Sequence, residues 1–171
     1  MFQLILLAIA ILVAWKLFAQ GPRFVEGFSQ LLERPVRQKA GPWSFVTGAH
    51  QVDGEYQGRL TELTLRQERG NDTPGYLIVS MQALGAAAAS SDDVSAFPES
   101  IRDADGQRAM YDLVVKHDVT MALDGRWLKA TWKPVGFFIF PGRFEPERWH
   151  NVLRDMRRVV QSLEGGVCPT D

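Results

Sequence analysis

Cysteine is nearly absent from this 171-residue sequence: Cys168, close to the C-terminus, is the single thiol. One cysteine excludes an intramolecular disulfide, and no CxxC pair is available for zinc or dithiol chemistry. Glycine-rich phosphate loops of the Walker or dinucleotide-binding type are missing. So are the Gly-x-Ser-x-Gly elbow and the His-Glu-x-x-His motif. Histidine is scarce, with only His50, His117 and His150. Glu147-Arg148-Trp149-His150 gives one Glu-x-x-His, half of a carboxylate-bridged di-metal site. A full site needs a second copy and two further carboxylates on facing helices. A structural or solvated histidine is therefore expected at 150, and a solvated one at 50. His117 and Asp118 are neighbours on an expected strand, so their side chains should point to opposite faces. Asp92, Asp93, Asp103 and Asp105 lack the ordered spacing of a calcium loop and read as solvated carboxylates. No catalytic residue, cofactor or metal site is expected from these motifs.

Charge of one sign is also missing overall, since the net charge is −1. Its distribution is uneven. Residues 1–40 carry five basic side chains against two acidic, and residues 41–171 carry 14 against 18. An acidic balance over the larger part argues against a nucleic-acid partner, which would need a basic face.

What the sequence does have is one long apolar run. Residues 2–19 contain a single charge, Lys16. As a helix, eighteen residues span about 27 Å, close to the roughly 30 Å of a bilayer's hydrocarbon core. Trp15 falls where an interfacial aromatic belongs, and Lys16 can snorkel to the headgroups. A cleaved signal peptide would need a basic leading region and a small-x-small site. No Lys or Arg precedes the run, and Phe18-Ala19-Gln20-Gly21 is a poor cleavage site. The run therefore reads as a single-pass anchor over residues 1–20. It contains no His, Cys, Asp or Glu, so it offers no haem ligand and no proton relay. Lys16, Arg23, Arg34, Arg37 and Lys39 lie at or beyond its C-terminal end. The positive-inside rule then puts the N-terminus outside and the following domain in the cytoplasm.

Residues 21–41 are expected to form a juxtamembrane amphipathic helix. Phe24, Phe28, Leu31 and Leu32 fall near helical spacing, and Pro35 ends or kinks the helix. Its apolar face is expected either on the membrane surface or against the domain or a partner.

Residues 42–171 are expected to form one α+β domain, an antiparallel sheet packed by a C-terminal amphipathic helix. Strands are expected at 43–46, at 55–68 with a bend at Gly58, at 76–82, at 110–123 and at 126–132. Asp53-Gly54 and Asp124-Gly125 are hairpin-turn sequences. Residues 84–106 read as a long surface loop, with a short helix within it as the alternative. The terminal helix starts at Pro146, carries Trp149, Val152, Leu153, Met156, Val159, Val160 and Leu163 at intervals of three and four, and stops at Gly165-Gly166.

Two further features suggest contacts. The run Phe137-Phe138-Ile139-Phe140 is either a buried strand or an exposed tip for a partner or the membrane interface. Arg154, Arg157 and Arg158 are either a solvated face or a contact for anionic lipid or an acidic partner. With Trp15, Lys16, Phe24 and Phe28, these make up the expected partner or membrane contact. The functional expectation is a non-catalytic accessory subunit fastening other subunits of a membrane complex, with respiratory or photosynthetic assemblies as possible settings. The alternatives are a free-standing anchored binding module and, behind it, an enzyme with an unrecognised site.

Overall fold

The computed structural model describes residues 2–37, 50–66, 76–84, 101, 103–132 and 144–165. Helix α1 (Phe2–Ser29) leads into strand β1 (Glu33–Arg37). Strands β2 (His50–Tyr56), β3 (Arg59–Arg66) and β4 (Tyr76–Gln82) follow. Next come α2 (Ala104–Tyr111) and a π-helical turn (Asp112–Lys116). Strands β5 (Thr120–Asp124) and β6 (Trp127–Trp132) and helix α3 (Pro146–Leu163) complete the order. The six strands form one antiparallel sheet in the order β1-β2-β3-β4-β6-β5. The fold class is α+β.

Alternation sorts the sheet into two faces. Val52 and Tyr56, Leu63 and Leu65, Leu77, Val79 and Met81, Leu128 and Ala130, and Met121 are buried. Between them Gln51, Asp53, Glu62, Thr64, Ile78 and Lys129 are only half-buried. Helix α3 covers the buried face. Its Trp149, Val152, Leu153, Met156, Val159 and Val160 are buried, as the spacing of three and four predicts. Pro146 starts it, and Gly165, at φ +89°, follows its end. The Glu164 carboxylate then ties this end to the sheet. It takes two hydrogen bonds from Arg59, at 2.6 and 2.5 Å, and one from the Leu84 amide.

Several local expectations are corrected. Asp53-Gly54 is not a turn: both residues lie inside β2, opposite Glu62 and Thr61. Gly54 is there for space, because a Cβ would stand 2.9 Å from Leu32 Cβ and 3.2 Å from the Glu33 carbonyl oxygen. The expected strand over 55–68 is a hairpin. Its turn is Gln57-Gly58, with φ of 50° and 76°, both positive as a type I′ turn requires. The second hairpin turns at Gly125-Arg126, one residue later than expected, with Asp124 paired to Trp127. Pro35 lies in edge strand β1, where a missing amide donor is tolerated. The β1–β2 register shifts between Glu33 and Val36, and Arg34 takes φ 50°.

Residues 110–123 are strand only from Thr120. The stretch before it is helical, because Asp103 caps α2, accepting from the Gly106 amide at 2.6 Å, and Ala109 and Leu113 are buried. His117 and Asp118 are therefore not strand neighbours, and Asp118 has φ 53°. Helix α2 packs against α3, and Gly106 sits so close to Ser162 that a Cβ would come within 2.5 Å of it. The expected loop over 84–106 thus ends in the first turn of α2. Most of it lies outside the described residues, as do the expected strand at 43–46 and the run 135–142.

Candidate interaction surface

Helix α1 is one continuous element with two different environments. Every residue from Gln3 to Leu12 is exposed. Leu4 is 69% exposed, Ile9 54% and Leu12 67%, so the apolar surface runs around this part of the helix and no described residue buries it. A contiguous exposed apolar surface of this kind marks a contact site. The C-terminal part is the reverse. Phe24, Val25, Phe28 and Ser29 are buried, as is Leu32 just beyond.

The anchoring contacts are aromatic. Phe24 meets Trp149 edge-on at 5.2 Å and Phe144 at 5.5 Å. Phe28 meets Trp149 at 5.9 Å, and Trp132 meets it from the sheet side at 5.1 Å. The Trp132 indole donates to the His117 carbonyl at 2.9 Å. Gly27 allows this approach, since a Cβ there would lie 2.4 Å from the Phe144 ring. Phe24 and Phe28, expected at a partner or membrane contact, are core residues of the domain. Of the two options for the 21–41 segment, the described part takes packing against the domain. The segment is not a separate helix: residues up to Ser29 continue α1, and residues 33–37 join the sheet.

The remaining expected contacts divide. The side chains of Trp15 and Lys16, and Phe137, Phe138 and Phe140 entirely, lie outside the described residues. Arg154 and Arg158 are exposed on α3, each 3.6 Å from the buried Asp155, and Arg158 also lies 3.7 Å from Asp105. Arg157 donates to Gln57 at 2.6 Å. The three arginines are thus partly engaged within the chain.

Sequence reasoning did not find a concave feature beside the aromatic contacts. An open depression of about 860 Å³ lies at the start of α3, lined by Lys116, His117, Phe144, Glu145, Pro146, Glu147, Arg148 and Asn151. It joins the end of the π-helical turn to the first turn of α3, a pairing that sequence spacing does not announce. Burial holds the His117 imidazole below its ordinary pKa, with Arg148 adding to the effect and Asp155 and Asp112 opposing it. No serine, threonine or cysteine is among the described lining residues, so they offer no hydroxyl or thiol nucleophile.

His150 Nδ1 lies 3.2 Å from the Tyr56 hydroxyl. His50 is partly buried, which lowers its pKa. Among the described residues, no group of three or more His, Cys, Asp or Glu could hold a metal ion, and no helix is long and apolar enough to cross a membrane. The side chains at positions 13–22 of α1 are not among those described.

Comparison with protein-family models, with curated proteins and with solved structures finds no match to this chain.

Proposed function

We propose that this chain is a membrane-anchored, non-catalytic accessory subunit that fastens other subunits of a membrane complex. The two-sided character of α1 carries the reading. Its first part is apolar and uncovered on every side, and its last part is locked into the domain core through Trp149. By sequence the apolar stretch continues to Ala19 with Lys16 as its only charge, enough to span a bilayer's hydrocarbon core. The basic excess after it orients the domain to the cytoplasm. A helix fixed rigidly to a folded domain passes the position of one on to the other, which suits a fastening role better than a flexible tether would.

The test is extraction of native membranes in mild detergent, followed by capture on a C-terminal tag. The expected result is a stoichiometric set of larger membrane partners, whose absorption spectrum would identify any pigment or haem they carry. A lone particle of monomer or small-oligomer mass would replace this reading with that of a free-standing anchored module. The depression beside His117 would then be its first candidate ligand site.

A further inference from the structure

The path of α1 fixes which end of the domain meets the bilayer. This inference rests on the anchor reading above. From Phe24 in α1 to Leu32 just beyond its end, the chain passes from Phe144 and Trp149 to Gly54. Trp149 stacks near Trp132, and Trp132 belongs to the sheet end where Leu77 pairs with Leu65 and Leu65 with His50. The turns at Gln57-Gly58 and Gly125-Arg126 are at the opposite end. Helix α1 therefore leaves the domain at the His50–Leu65–Leu77–Trp132 end.

The separation is short. Four residues of unbroken helix lie between Ala19 and the buried Phe24, which puts the two about 7.5 Å apart along the axis. The polar layer on each side of a bilayer is itself about 5–8 Å deep. With no linker to lift the domain away, its α1 end is held within that layer.

The surface at this end suits it. Helix α2 starts beside Ser162, near the C-terminus of α3, and the π-helical turn ends at Lys116 beside Arg148. That direction delivers Val114, Val115 and Lys116 to the membrane side. Val115 is 56% exposed and Val114 41%, and the two precede an exposed lysine. Arg148, Glu145 and Glu147 are exposed and line the same depression as Lys116. We infer that this end of the domain, from Val114 to His117 and from Phe144 to Arg148, is a docking surface seated in the phospholipid headgroup layer. Apolar side chains beside long cationic ones suit the boundary between acyl chains and headgroups. Charges of both signs fit a zwitterionic headgroup, phosphate to Lys116 and Arg148, ammonium to Glu145 and Glu147.

Spin labels on the full chain test this. In a Cys168→Ser background, single cysteines replace Ile9, Val115 or Arg126, with Val114→Cys as a second probe of the same end. Each protein is reconstituted into phosphatidylcholine vesicles doped with a nickel-chelating lipid. The expected result is oxygen-accessible relaxation at position 9 and several-fold stronger relaxation by headgroup nickel at 115 than at 126. Position 126 should respond instead to a water-soluble relaxing agent. Equal responses at 115, 114 and 126 with position 9 still in lipid would overturn the docking surface and leave the anchor standing. A water-exposed label at position 9 would overturn both.

Discussion

His117 shows how a single residue reports its surroundings. It follows the π-helical turn, its carbonyl is held by Trp132, and its ring lines the depression beside Arg148. Burial is the largest cause of its lowered pKa, and the Arg148 charge adds to it. The folded protein therefore prefers the neutral imidazole, whereas the unfolded chain binds a proton near the ordinary value of 6.5. Below that value the unfolded state binds more protons, so stability is fully present above 6.5 and falls as pH drops from there towards the folded pKa. His50, lowered by burial, acts with the same sign. The carboxyls of Asp103 and Asp112 are held below their usual 3.8, so their contribution is lost only in stronger acid. Urea unfolding between pH 8 and pH 5 should show a falling midpoint, and His117→Gln should flatten that slope. An unchanged slope in the variant would contradict the burial argument. None of this was legible in the sequence, where His117 read as a strand residue beside Asp118.

At the scale of elements, docking of α1 onto α3 depends on one ring. Trp149 takes Phe24 and Phe28 on one side and Trp132 on the other, so it joins α1, α3 and the sheet. Truncating such a side chain removes its burial and leaves a cavity that three aromatic neighbours cannot fill, at a cost of about 3–5 kcal/mol. Trp149→Ala should lower the unfolding free energy by that amount, measured by urea denaturation of the full chain in detergent. Trp149→Phe, which keeps a ring in the gap, should cost less.

The sequence made α3 plain because its apolar stripe, Pro146 and Gly165 agree on one element. Strand β4 was equally plain, as an apolar run bounded by loop residues. The hairpins were half visible. Glycine marked them, but Asp53-Gly54 resembles a turn and serves instead as a place for Leu32 to approach. The helical stretch through Val114 and Val115 was hidden, because β-branched residues favour strands and only packing against α3 overrides that preference.

Across the whole molecule, the two halves of α1 set the account. The sequence made the apolar half conspicuous, and the structure leaves it exposed from Gln3 to Leu12. It could not reveal that Phe24 and Phe28 belong to the domain core, since an amphipathic face reads the same whether it meets lipid or protein. Nor could it place the depression at the start of α3, which depends on α2 running back along α3. Alkaline carbonate washing of membranes that carry the full chain tests the central claim most directly. The account predicts that the chain stays in the membrane pellet and that Ile9→Asp, which puts a charge into the uncovered apolar stretch while leaving the core untouched, releases a substantial share of it. Recovery of the unaltered chain in the carbonate supernatant would contradict the account.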